Sequence, residues 1–380
     1  MRYRLHWGRM LVVIGVIVVV VAGGRSLLTK GTAPARRSTA PSPVAGSKSP
    51  HHHQASHSHA KAYTLGGSST PFRGDIYIAD EAANRIIAVN VRHQIVWTAH
   101  VPSPDDVNPS PNGGPLIVNA DARQFVYAVS PKTGQILWTY GHEGVTGSAP
   151  GYLYIPEDSY ALPHGDVLIT DPGNERALVV NVKTGRILYQ YGHTGVESTA
   201  PGYLYWTNNA VALPNGDVLI TDGAKSGLPQ QLLMVSPTGA LVWHVDLPPA
   251  IVYPSDAMPV GPGLYALTSY SNPAGLFVVN QAGKIVWSYA PATGPGSLNH
   301  ASSINRLPNG NFLVSDDQNY RVVVIDPATH SIVWQYGQKG VSGTGPDQLL
   351  GNTDTKAAGE ALPPFVWWEG GPKATNITIP

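Results

Sequence analysis

Cysteine is absent from the 380 residues, which removes disulfides, thiolate metal sites and cysteine nucleophiles together. Charge is scarce as well: Asp, Glu, Lys and Arg make up 13% and cancel, 24 basic against 24 acidic, about half the usual share. With no basic excess the chain lacks the electrostatic footprint of a nucleic-acid binder. No window supports a long amphipathic helix, so coiled-coil and long-helix architectures are excluded. No Walker loop, His-x-x-x-His pair or Ser-His-Asp set occurs with supporting context. Backbone punctuation, by contrast, is abundant. The 41 Gly and 34 Pro make nearly a fifth of the chain, where roughly 12% is ordinary. Hydrophobic residues at 42%, with 9 Trp, 18 Tyr and 5 Phe, are enough to bury a core, which excludes global disorder.

The one long apolar run is terminal. Arg2, Arg4 and Arg9 precede Leu11 to Ala22, and the stretch from Met10 to Gly24 carries no charge over 15 residues. That length suits the apolar region of a signal peptide, roughly 7–15 residues, better than a spanning helix of roughly 20. Cleavage near Ala22-Gly23-Gly24 and retention as a short anchor both remain open, and either one predicts an extracytoplasmic, membrane-tethered or secreted protein. Residues 25–62 follow as a Pro-, Ser- and His-rich linker with no hydrophobic period, unable to offset its ordering entropy. Its His51-His52-His53, His57 and His59 read as a polar spacer, since a mobile tract supplies metal ligands without a supporting second shell.

The remainder is repetitive. Tyr140 to Asp171 and Tyr191 to Asp222 are near copies offset by 51 residues. The apolar run "GDVLITD" and its looser versions end at Asp80, Asp121, Asp171, Asp222, Ser269 and Asp316, marking six units. Each unit holds four short runs rich in Val, Ile, Leu and Tyr, separated by turns rich in Gly, Asn, Pro and Asp. The expected fold is therefore all-β, a six-bladed β-propeller with four-stranded blades over residues 63–368, with a C-terminal tail at 369–380. An open solenoid is the rival. The two differ at the ends of the array: the first unit lacks an inner strand before Gly74, whereas Ala361-Leu362-Pro363 repeats an inner-strand entry with nothing after it. The C-terminal segment is thus predicted to close the ring by supplying the first blade's inner strand, which removes an exposed edge.

Two families share this grammar. The Asp-x-x-x-x-Arg spacing at Asp80/Arg85, Asp171/Arg176 and Asp316/Arg321, with Asn84, Asn174 and Asn319 between, resembles NHL repeats. The element "VSPKTGQILW", Val129 to Trp138, echoed with Trp97, Trp243, Trp287 and Trp334 and with Tyr189 in the same slot, resembles the quinoprotein-like (PQQ-like) propeller repeat. The resemblance covers about residues 72–363 and implies a propeller shared by enzymes and binding proteins alike. The adjacent-cysteine signature of the larger quinoprotein dehydrogenases cannot occur here. His300 to Trp334 is similar to a segment of arylsulfotransferase propellers, and that similarity implies a covalent or acid–base role for His300.

Topology alone gathers further candidates. In a four-stranded blade the inner strands begin on the face where the second-to-third-strand turns and the inter-blade crossings lie. Asp106, Asp158, Asn209, Asp256, Ser303 and Asp354 stand at those starts. Converging on one axis, they make either an oxygen-ligand ring of the kind Ca²⁺ takes or a lining that satisfies backbone groups and a hydrated channel. No cofactor is otherwise required. His142 and His193 share a context in which the last unit has Gln338, which favours a structural hydrogen-bonding role. The leading expectation is a propeller that binds a small-molecule ligand or protein partner on its polar loop face, without chemistry of its own. The alternative is an extracytoplasmic enzyme at the channel mouth, either a metal-assisted lyase or hydrolase or a sulfuryl transferase, using His300.

Overall fold

The computed structural model describes residues 65–110, 113–163, 165–223, 227–350 and 361–362. The apolar segment 1–24, the linker 25–62, Asp354 and the tail 369–380 lie outside these. Among the described residues, no helix is long and apolar enough to cross a membrane.

Among the described residues, twenty-four strands form six antiparallel four-stranded sheets. Blade 2 comprises β4 (Asp106–Pro109), β5 (Leu116–Ala120), β6 (Phe125–Val129) and β7 (Ile136–Gly141). Blade 3 comprises β8 (Asp158–Ala161), β9 (Val167–Asp171), β10 (Arg176–Val180) and β11 (Ile187–Gly192). Blade 4 follows with β12 (Ala210–Ala212), β13 (Val218–Asp222), β14 (Gln231–Val235) and β15 (Leu241–Asp246). Blade 5 is β16 (Pro254–Gly261), β17 (Leu264–Ser269), β18 (Gly275–Asn280) and β19 (Ile285–Tyr289). Blade 6 is β20 (Ala301–Arg306), β21 (Phe312–Asp316), β22 (Arg321–Asp326) and β23 (Ser331–Tyr336). Blade 1 joins the two ends of the chain: β1 (Asp75–Asp80), β2 (Arg85–Asn90) and β3 (Ile95–His100) take their inner strand from β24 (Ala361–Leu362), which pairs Leu362 with Tyr77 and Ala361 with Ile78. The expected strand exchange is thus present.

The second and third strands of each blade are largely buried on both faces, so they read as continuous apolar runs such as Ile86–Val89 and Val322–Ile325 rather than as alternation. Their side chains form six separate clusters, one at each blade–blade interface. The cluster joining blade 6 to blade 1 packs Ile76, Ile78, Ile87 and Val89 against Leu313, Val322, Val324 and Trp334. A closed ring needs all six interfaces, whereas an open solenoid would lack this one. Outer-strand aromatics add a tie across four joints. Tyr189 Oη donates to the Ser236 carbonyl at 3.3 Å, and Nε1 of Trp243, Trp287 and Trp334 donates to the carbonyls of Gln281, Pro327 and Val91 at 3.1, 3.0 and 3.0 Å. The outer-strand tryptophans therefore serve packing between blades. Residues 65–72 strap over blade 6: Asn311 Nδ2 donates to the Ser68 carbonyl at 2.9 Å, and the Phe72 ring meets Trp334 edge-on at 4.8 Å.

Candidate functional site

A repeated fastener builds the polar face where the inner strands begin. In blade 3 the Asp171 carboxylate accepts from the Tyr154 amide at 2.7 Å, which fixes the crossing loop onto its own blade. Asp222, Asp316 and Asp80 do the same for Tyr205, Asn299 and Leu350. Burial raises all four carboxyls, Asp80 to about 6 and Asp222 to about 7. In blades 1, 3 and 6 the pair Asp80–Arg85, Asp171–Arg176 or Asp316–Arg321, each at 2.7 Å, counters that push with a positive charge. The Asp-x-x-x-x-Arg spacing is a structural knot of the fold.

The residue three positions before the ring residue is left-handed in five blades: Ser103, Ile155, Trp206, Tyr253 and His300 have φ between 43° and 75°. Such a backbone costs a non-glycine residue on the order of 1 kcal/mol. An acceptor from the preceding blade's turn captures its amide each time. Asn84 Oδ1, Gln124 Oε1, Glu175 Oε2, Gln230 Oε1 and the Ser271 carbonyl accept at 2.7–3.0 Å. The side chains differ while the conformation repeats, so these positions project variable groups around the channel mouth. Over blades 4 to 6 they are aromatic. Trp206 Nε1 donates to Tyr253 Oη at 3.3 Å, the Tyr253 and Tyr270 rings lie 5.5 Å apart, and the Tyr270 and His300 rings lie 4.8 Å apart. All four are half-buried and in contact one with the next, forming an arc.

The predicted ring residues come three positions further along the chain than the left-handed positions. The described members, Asp106, Asp158, Asn209, Asp256 and Ser303, are all buried at inner-strand starts. Asn108 Nδ2 donates to both Asp106 Oδ2 and Asp158 Oδ1, and Asn209 Nδ2 donates to Asp158 Oδ2, so one network spans blades 2 to 4. Asp256 Oδ2 accepts from the Ile304 amide at 2.8 Å, and Ser303 Oγ pairs with Ser315 Oγ at 2.8 Å. Burial pushes Asp158 well up, and the neighbouring Asp106 and Asp256 carboxyls push it further. Burial likewise raises Asp256 to about 7. Burial therefore favours the protonated form of both carboxyls, in which a carboxyl can donate as well as accept a hydrogen bond. Among the described residues no group of three or more His, Cys, Asp or Glu is placed to hold a metal ion, and Asp354, the sixth member of the expected oxygen-ligand ring, lies outside them.

His300 is not joined to this ring. Its Nδ1 bonds Asn299 Oδ1 at 2.8 Å, its ring packs on Tyr270, and burial lowers its pKa. No carboxylate bonds it among the described residues, so no acid–base pair is assembled around it. His142 and His193 lie over the rings of Tyr152 and Tyr203 at 4.3 and 4.1 Å. A second device has only a faint sequence signal, the Thr of "LITD" in blades 3 and 4 and of "LTS" in blade 5. Thr170, Thr221 and Thr268 hydroxyls accept the amides of Asp158, Asn209 and Asp256 at 2.9–3.1 Å. They donate onward to the carbonyls of Asn208, Ser255 and Ser302 in the next blade. The inner strands of blades 3 to 6 are thereby latched in succession at the ring.

A PQQ-like repeat family model, described as outer membrane protein assembly factor BamB, matches residues 46–201. With the six-bladed architecture, this match is consistent with a PQQ-like propeller, a fold type that fits a binding role. No curated protein matches the chain. Among solved structures, a protein of unknown function from Bacteroides caccae superposes with a TM-score of 0.52 at 18% identity, covering 69% of this chain and 92% of that one. A chain of a nidogen/laminin complex gives a TM-score of 0.50 at 14% identity, with coverage of 69% and 92%. Virginiamycin B lyase from Staphylococcus aureus gives 0.47 at 12% identity, covering 70% of this chain and 85% of that one. At these identities the likeness is one of fold alone.

Proposed function

We propose that this chain is an extracytoplasmic propeller, secreted or tethered through residues 1–24, that binds a small-molecule ligand or protein partner at the mouth on its polar loop face. The observation carrying the reading is the arc of Trp206, Tyr253, Tyr270 and His300 together with the buried ring of Asp158, Asn209, Asp256 and Ser303. Rings offer a flat apolar face to stack against, and the protonatable acids and amides offer both donors and acceptors. That combination suits a group with one apolar face and several hydroxyl or amino functions. The fold adds general support, since a rigid scaffold presenting variable loop residues is how recognition surfaces are built. The description of the matching family model as an assembly factor points the same way.

Two experiments test it. A thermal-shift screen of the full chain against hydroxylated and amino-bearing small molecules and short peptides should yield stabilising compounds whose effect falls at least tenfold in affinity in Trp206→Ala and Asp256→Asn. Compounds that act equally on the variants would put binding elsewhere. For location, a C-terminal alkaline phosphatase fusion in a bacterial host should be active, and an inactive fusion would refute export.

A further inference from the structure

Blade 4 keeps the fastener's acid and lacks its base. In blade 3, Arg176 Nε donates to Asp171 Oδ2 at 2.7 Å, while Nη1 and Nη2 reach the carbonyls of Ser148 and Tyr152 at 3.0 and 3.2 Å. Arg321 does the same in blade 6, with Nη2 on the Pro295 and Ser297 carbonyls and Nη1 on Gln335 Oε1 at 2.9 Å. In blade 4 the register sets Gln231 opposite Asp222, as Arg176 is opposite Asp171. Gln231 Nε2 donates to Asp222 Oδ2 at 3.1 Å, taking over the bond of the arginine Nε, and the side chain ends there.

Beyond that amide lies a pocket of about 140 Å³, room for several waters where one needs roughly 10–15 Å³ on the same measure. Its wall includes Thr199 and Tyr203, the counterparts of Ser148 and Tyr152 at the 51-residue offset, together with Tyr191, His244 and Asp246. Asp246 stands opposite Gln231 where blade 3 has Gly192 opposite Arg176. His244 occupies the place from which Gln335 accepts in blade 6. The site has lost a positive charge and gained a negative one. Among the described residues no Lys or Arg pairs with Asp222 or Asp246. Burial raises Asp222 to about 7 with no arginine to oppose it.

We propose that this pocket receives a guanidinium group from outside the chain, seated where blades 3 and 6 place their own. Its planar N–H fork would donate to the Thr199 and Tyr203 carbonyls and to Asp246 at the rim, beside the Tyr191 ring. A free arginine-like molecule and an arginine side chain of a partner polypeptide present the same group. None of the ring residues or the mouth arc lines the pocket apart from its neighbour Tyr205, so the site does not depend on what the mouth binds.

Calorimetric titration of the full chain with ethylguanidinium, ethylammonium and N-ethylurea tests this. Ethylguanidinium should bind at least tenfold more tightly than N-ethylurea, and more tightly than ethylammonium. Gln231→Arg should lower its affinity at least tenfold by filling the pocket, and Asp246→Asn should lower it about threefold to tenfold even if the first variant folds poorly. N-acetylarginine amide binding better than free arginine would identify a polypeptide as the source, and the reverse order a small molecule. Equal binding of ethylguanidinium and N-ethylurea would overturn the proposal, as would indifference to both substitutions.

Discussion

Blades 3 and 4 are the closest copies in the molecule, and they differ where it matters. Both keep Tyr-Gly-His, Pro-Gly-Tyr-Leu-Tyr and the run Gly-Asp-Val-Leu-Ile-Thr-Asp. Both use the same Asp cap, the same Thr latch and the same Gly amide on a Tyr hydroxyl, at 3.1 Å from Gly151 to Tyr140 and 3.2 Å from Gly202 to Tyr191. Between those identical parts, Ile155-Pro156-Glu157-Asp158 becomes Trp206-Thr207-Asn208-Asn209, Arg176 becomes Gln231, and Gly192 becomes Asp246. Every one of these changes lies on the face where the crossings run. The scaffold has been copied and the face individualised, as expected if the scaffold carries stability and the face carries recognition.

The largest break in this comparison comes from Arg176→Ala. It leaves the buried Asp171 carboxylate without its base and releases two crossing-loop carbonyls. The expected loss is about 3–5 kcal/mol of unfolding free energy in urea titration, and a loss under about 1 kcal/mol would mean the pair holds nothing. Arg176→Gln makes blade 3 resemble blade 4; because the amide can still cap Asp171, it should cost less, about 1–3 kcal/mol. The reverse graft, Gln231→Arg, should stabilise blade 4 by about 1 kcal/mol by restoring a charge-assisted bond.

A smaller effect concerns pH. The folded Asp222 carboxyl, at about 7, binds its proton more tightly than an unfolded aspartate near 3.9. Between roughly pH 4 and 7 the native state therefore holds more protons, and this residue's contribution to stability declines as pH rises through that window. The urea midpoint should drop from pH 5 to pH 8, and Asp222→Asn should remove part of that drop. An unchanged pH dependence would show that the acid is already neutralised by a partner. Asp246→Gly, an exposed change into the blade 3 residue, should alter stability by no more than about 0.5 kcal/mol.

Much of this was readable before any coordinates. Six blades and their closure follow from turn chemistry repeated at regular spacing, because Gly, Asn and Pro fix local backbone regardless of context. Asp158, Asn209, Asp256 and Ser303 were legible as a ring for a similar reason, since a strand start has a definite place in the blade. The mouth arc was not legible. Its left-handed positions conserve a conformation and not a residue type, and Tyr270 joins Tyr253 and His300 from a different loop. The blade 4 pocket was hidden by a register change. Arg176 comes five residues after Asp171, whereas Gln231 comes nine after Asp222, and only the strand pairing shows that they correspond.

The most direct measurement grafts the mouth of blade 3 onto blade 4 through Trp206→Ile, Thr207→Pro, Asn208→Glu and Asn209→Asp, and compares binding to that of the unmodified chain across one panel of small molecules and peptides. Every stabilising compound without a guanidinium group found with the unmodified chain should lose at least tenfold in affinity on the graft, which should still show a cooperative urea transition. A panel with no stabilising compound, or one that binds both proteins equally, would contradict a recognition role for this face.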